Sequence, residues 1–166
     1  MTLNSGLFTS LTPHWATPQG LYKQLDAEFH FDFDPCPLHT AFDGLAIEWG
    51  MCNYVNPPYG RMLGLWLKKA VEESRKGKTI VMLLPSRTDT KWFHDYVLPC
   101  AKEIRFIRGR IKFENAERER ERVIILKALH FQAASSYSRA TFPGVVVVFS
   151  PRPSSAARLS PWRTRA

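Results

Sequence analysis

At 166 residues, 45% hydrophobic and 13% aromatic, the chain has enough apolar material for one compact core and fits a single domain. No apolar stretch is long enough to span a bilayer, the N-terminus lacks the basic-then-apolar pattern of a secretory signal, and Cys36, Cys52 and Cys100 suit neither a disulfide framework nor a CxxC zinc pair. These features point to a cytoplasmic protein, and a net charge of +8 with a pI near 9.7 favours a polyanionic partner such as nucleic acid, with solubility as the plain alternative.

In chain order, residues 1–17 read as a loose lead-in. The stretch TPQGLYKQLDAEF (17–29) predicts a helix, with Pro18 in its first turn and Leu21, Leu25 and Phe29 at helical spacing. FHFDFDP (29–35) alternates aromatic with polar residues, which predicts a strand ending at Pro35. Residues 36–50 read mostly as loop, MCNYV (51–55) as a strand, and MLGLWLKKAVEESRKGK as an amphipathic helix. That helix presents Leu63, Leu67, Ala70 and Val71 on one side and is capped by Gly77.

TIVMLLP (79–85) has the unbroken apolar run of a central strand in a parallel sheet. DTKWFHDYVLPCA predicts another helix, capped by Asp89 or Thr90. EIRFI (103–107) and RIKF (110–113) read as strands with a turn or bulge at Gly109. ENAERERER reads as a solvated face, VIILKALHF as strand or helix, and GVVVVFS (144–150) as a strand. From Pro151 the composition is Pro, Ser, Ala and Arg, a basic tail expected to be disordered, leaving 1–150 as the functional domain.

The basic residues are concentrated. Arg152, Arg158, Arg163 and Arg165 lie in the acid-free tail, and Lys102 to Lys112 sets five basic residues against Glu103 alone. Strand–helix–strand order predicts an α/β sheet, whose ligands sit at the carboxyl ends of the strands. Two chemically unusual segments fall at such ends: Asp34-Pro35, and Asn56-Pro57-Pro58-Tyr59 within NYVNPPYGR.

Proline fixes φ and carries no N–H, so nearby carbonyls can face a cleft without a competing amide. The Asn56 side-chain oxygen and the Pro57 carbonyl could accept both hydrogens of one exocyclic amino group. Tyr59 could stack on the ring, Gly60 would allow close backbone approach, and Arg61 could reach a phosphate. A plain structural turn is the competing reading of the same residues.

Asn-Pro-Pro-Tyr resembles the signature of S-adenosylmethionine-dependent amino methyltransferases, in which Asp, Asn or Ser precedes Pro-Pro and an aromatic. With WATPQGLYKQLDAEF, FDFDPC, DGLAIEW, TIVMLLPSRTDTKWFHDYV and EIRFIRGRIKF in order, the chain is similar to the small phage-type, Dam-like DNA N6-adenine methyltransferases. The resemblance spans roughly residues 15 to 113 and returns at FPGVVVVF. It implies a Rossmann-like methyltransferase sheet with a reduced strand set, S-adenosyl-L-methionine as cofactor, and methyl transfer to adenine N6 in double-stranded DNA.

Under that resemblance Asn56, Pro57, Pro58 and Tyr59 form the catalytic, base-holding site. Trp15, Thr17 and Pro18 line the cofactor pocket, Asp34 and Pro35 face the cofactor's methionine part or ribose, and Asp43 lies near its adenine. Arg61, Arg87, Arg108, Arg110 and Lys112 are the expected DNA contacts, with Arg87 on the same rim as Asn56; no metal is required. The expected setting is a bacterial or phage-infected cytoplasm, where methylation would guard DNA against restriction.

The chain departs from the family pattern in lacking a glycine-rich loop after Asp34-Pro35, in having only 21 residues between Asp34 and Asn56, and across residues 114–142. Methylation of cytosine N4, an RNA base or a protein glutamine are the other enzymatic readings, and a DNA-binding relic without turnover is the non-enzymatic one. Asp34 could merely cap a loop, and RFIRGRIKF could be an ordinary strand pair with a basic face. Trp66, Trp92 and Phe93 read as packing residues, and His14, His39, His94 and His130 show no ligand spacing.

Overall fold

The computed structural model describes residues 17–37, 41–113, 141–151 and 158–162. They form a mixed α/β domain around a five-stranded sheet. Helix α1 (Gln19–Phe29) is followed by β1 (Cys52–Val55), α2 (Leu63–Arg75) and β2 (Thr79–Pro85). A π-helical turn (Phe93–Val97) then runs into the short α3 (Leu98–Cys100), before β3 (Glu103–Lys112), β4 (Thr141–Phe149) and β5 (Arg158–Trp162). The spatial order is β1-β2-β4-β3-β5. Trp15, ENAERERER and VIILKALHF lie outside the described residues.

The sheet is mixed rather than parallel throughout. β1 pairs with β2 in parallel, as a β1–α2–β2 unit requires, but β4 runs antiparallel to both β2 and β3. The apolar run in β2 reflects cover on both faces. Ile80, Met82 and Leu84 join Leu63, Leu67 and Ala70 of α2, with Val145, Val147 and Phe149 of β4. Val81 and Leu83 point the other way, toward Leu21 and Leu25 of α1, with Val146 and Val148 beside them. The apolar stripe expected on α2 is buried, and Gly77 takes the positive φ of 99° that ends the helix, its N–H bonding the Ser74 carbonyl at 3.1 Å.

Three expectations need correction. The strand expected over 29–35 is not formed: α1 continues through Phe29, His30 turns the chain at φ 54°, and only Phe33 bridges β1, opposite Asn53. Carboxylates supplement the few backbone bonds that join Asp32 and Phe33 to β1. Asp26 accepts the Phe31 N–H at 3.0 Å, and Asp32 accepts those of Met51 and Cys52 at 3.1 and 3.0 Å. Second, the helix expected over DTKWFHDYVLPCA contains the π-helical turn at Phe93–Val97. Third, within the stretch read as a disordered tail, Arg158–Trp162 form β5, parallel to β3; an edge position tolerates Pro161. The irregularity expected at Gly109 is a register slip between Phe106 and Arg110.

At the amino ends of the strands, Lys78 is buried with Glu73, donating to Glu73 Oε2 at 2.7 Å, the Trp49 carbonyl at 2.6 Å and Glu48 at 3.0 Å. Against the desolvation that burial imposes, hydrogen bonds from Lys76, Lys78 and Lys69 hold the Glu73 carboxyl down to about 2. The stability it contributes is therefore full above its ordinary value of 4.5 and lost as pH falls toward about 2. Removing one partner strands a buried charge, so Glu73→Ala is expected to lower the unfolding free energy in a urea melt at pH 7 by about 3 kcal/mol. On the α1 face, Arg105 Nη1 donates to Glu28 at 2.7 Å and its guanidinium lies 5.2 Å from the Phe29 ring, tying β3 to the helix.

Candidate active site

β1, β2 and β3 run in one direction and β4 in the other, so the carboxyl ends of the first three share a rim with the start of β4. Asn56 leaves β1 on this rim. Ser86 and Arg87 leave β2, with the Ser86 N–H bonding the Pro143 carbonyl at 2.9 Å. Phe113 follows β3 and Phe142 opens β4, paired with Ile111. Asp34 follows the Phe33 bridge on the outer side of β1, where the Tyr54 N–H bonds the Phe33 carbonyl at 3.0 Å.

In the Asn-Pro-Pro-Tyr segment Pro57 is buried, Pro58 exposed, and Asn56 and Tyr59 half-buried. The Tyr59 hydroxyl lies 3.2 Å from both Asn56 Oδ1 and the Leu83 carbonyl, which share its single proton. Desolvation and then Tyr54 raise the phenol's pKa, so it remains a donor. Its ring packs edge-on against Phe142 at 5.2 Å and Phe113 at 6.4 Å, while those two rings stack at 4.8 Å. Tyr59 is thus fixed at its tip and edge, its hydroxyl facing Asn56 Oδ1.

At the neighbouring end, the Asp34 carboxylate accepts the Cys36 N–H at 2.8 Å. Among the described residues no basic side chain pairs with it. Desolvation pushes its pKa up to about 6, the Cys36 N–H opposing the rise. Burial, then Asp34, pushes the Cys36 thiol up to about 12. The loop beyond closes on this corner: Trp49 Nε1 donates to the Gly44 carbonyl at 2.7 Å, and a side chain at Gly44 would overlap the Pro35 carbonyl. Thr17 Oγ1 lies 2.7 Å from the Tyr54 hydroxyl, and Tyr22 meets the Tyr54 ring edge-on at 5.0 Å.

The remaining residues singled out from the sequence are dispersed. Asp43 is exposed and serves its own turn, Oδ1 accepting the Leu45 N–H at 2.9 Å. Pro18 immediately precedes α1, and its carbonyl accepts the Leu21 and Tyr22 N–H groups at 3.0 and 3.1 Å. Arg61, Arg87, Arg108, Arg110 and Lys112 are all exposed. Arg110 and Lys112, opposite Pro143 and Thr141, lie toward the Asn56 rim; Arg158, opposite Glu103, lies at the far end of β3. Tyr54, Phe113 and Phe142 were not singled out, although strand alternation places Tyr54 two residues before Asn56 and both phenylalanines end or open an apolar strand segment. Among the described residues no three His, Cys, Asp or Glu side chains gather as a metal-holding group, and no helix is long and apolar enough to cross a membrane.

The described residues thus form a mixed α/β sheet with an Asn-Pro-Pro-Tyr turn after β1 and a desolvated carboxylate just past the Phe33 bridge beside it. The sequence model of the family described as DNA N-6-adenine-methyltransferase (Dam) matches residues 4–128, and the chain belongs to that family. It is also similar to a protein of Haemophilus phage HP1 (strain HP1c1) named DNA N-6-adenine-methyltransferase. The two are 33% identical over 117 residues, covering 62% of this chain and 67% of the phage protein. The family is one of adenine-specific DNA methyltransferases.

Proposed function

We propose that the chain uses S-adenosylmethionine to methylate the N6 amino group of adenine in duplex DNA, at Asn56-Pro57-Pro58-Tyr59. The observation that carries this reading is the pinning of Asn56 Oδ1 by the Tyr59 hydroxyl on the rim that also holds Asp34. The strand order, with helices on both faces, agrees with a reduced Rossmann-like sheet.

The residues present fit the cofactor. A carboxylate that is desolvated and lacks a basic partner is the group a sulfonium or ammonium cation would complement. Thr17, Pro18, Asp34 and Pro35 would hold it. When bound, the cofactor supplies an electrophilic methyl group on a good leaving group.

The chain's own contribution is orientation. Asn56 Oδ1 and the Pro57 carbonyl accept both amino hydrogens of the adenine, turning the nitrogen lone pair out of conjugation with the ring. They also face the positive charge that develops there. Burial and then Asp34 push the Cys36 thiol up to about 12, and the proposed transfer assigns it no nucleophilic role.

The test is to incubate the protein with methyl-labelled S-adenosylmethionine and unmethylated DNA, digest to nucleosides and identify the labelled product. Label in N6-methyldeoxyadenosine is expected; label in N4-methyldeoxycytidine would redirect the reading to cytosine, and DNA binding without label would refute it. Exposed basic groups on the same rim would carry the phosphates. Arg87→Ala and Lys112→Ala are each expected to weaken binding to any duplex sequence and to lower the slope of log K against log salt by about 1 in a fluorescence titration.

A further inference from the structure

We propose that Tyr54 is a positioning residue for cofactor binding, its hydroxyl holding Thr17 and so joining the segment before α1 to the strand that delivers Asn56. The inference rests on the reading of Thr17 as part of the cofactor wall.

Tyr54 is 2% exposed, at the middle of β1, and its ring is walled by Tyr22 at 5.0 Å and Phe31 at 5.4 Å. A phenol placed in such a site demands a partner, and Thr17 Oγ1 lies 2.7 Å away. Thr17 is half-buried and precedes α1 by one residue, Pro18, with no strand pairing of its own. Its bond to Tyr54 spans 37 residues of chain and fastens this segment to the sheet.

The same strand is shared by both halves of the site. Tyr54 N–H bonds the Phe33 carbonyl next to Asp34, and Asn56 follows Tyr54 by two positions. A shift of Tyr54 would therefore misplace Thr17 relative to the sheet, whereas the Asn56 amide has its own contact with the Tyr59 hydroxyl, which also reaches the Leu83 carbonyl. That separation predicts an effect on cofactor affinity with little effect on the methyl-transfer step.

Tyr54→Phe keeps the ring and removes the hydroxyl. Three- to tenfold weaker S-adenosylmethionine binding is expected by calorimetry, the scale of one lost hydrogen bond, with kcat at saturating cofactor within about twofold. Thr17→Val should give at least as large a loss, and the double variant no more than Thr17→Val alone. In the protein without cofactor, amide hydrogen exchange over residues 17–22 should speed up in both variants, while exchange in β2 and β4 stays unchanged. Additive losses in the double variant, unchanged exchange at 17–22, or a fall in kcat with no change in affinity would each overturn the proposal. If the unaltered protein failed to bind S-adenosylmethionine, the functional reading would fall, and the exchange comparison would still decide whether Tyr54 holds Thr17.

Discussion

Asn56→Ala is expected to reduce the single-turnover rate of methyl transfer by about 10²–10³, with S-adenosylmethionine affinity unchanged. In the proposed function the side-chain amide would be one of two acceptors for the adenine amino group, and preorganised groups of this kind act mainly on developing charge. The loss should therefore appear in kcat rather than in cofactor binding. Tyr59→Phe separates orientation from contact. The ring and its packing on Phe113 and Phe142 persist, but the hydroxyl that bonds Asn56 Oδ1 at 3.2 Å is removed. Its expected cost is smaller, about tenfold. Equal rates for Asn56→Ala and the unaltered protein would eliminate the acceptor role.

Asp34→Asn is expected to weaken S-adenosylmethionine binding roughly a hundredfold at pH 7.5 while raising the stability of the protein. The two effects have one cause. Burial lifts the Asp34 pKa from 3.8 to about 6, so the folded protein binds the proton more tightly than the unfolded chain. Stability contributed by such a group is greatest at low pH and is lost as pH rises from about 4 through 6. Above that window the ionised carboxylate costs up to about 3 kcal/mol, and asparagine relieves it while still accepting the Cys36 N–H. A cationic ligand would restore a partner to the charge. Cofactor affinity should accordingly fall about tenfold per pH unit below 6 in the unaltered protein and stay flat in Asp34→Asn, as read by calorimetry at stepped pH.

Much of this was legible in the sequence, for identifiable reasons. TIVMLLP and GVVVVF read correctly as strands because both faces of β2 and β4 are covered, leaving no polar alternation to confuse. Asn56 and Arg87 fell on one rim because β1 and β2 are parallel neighbours. FHFDFDP misled because its alternation mimics a strand, whereas its pairing with β1 stops at the Phe33 bridge and Asp26 and Asp32 take the neighbouring Phe31, Met51 and Cys52 N–H groups through their side chains. β5 was hidden because its pairing depends on a partner strand more than 40 residues earlier, at Glu103–Ile107, and its composition resembles that of an unstructured tail. The antiparallel direction of β4 was equally nonlocal. Tyr54 escaped notice since an aromatic in a strand reads as core, and nothing in its neighbours announces a hydroxyl partner at Thr17.

The order β1-β2-β4-β3 has a consequence for synthesis. β2 and β3 do not touch as a pair; β4, made after both, is inserted between them and supplies Phe142 beside Tyr59. A nascent chain that has emerged only as far as Phe113 therefore holds Asn56 and Asp34 but lacks the strand that joins the two halves of the rim. The central strand is thus made after both of its neighbours, and a transcript cut short before codon 141 would yield a protein with every signature residue and no closed sheet to carry them.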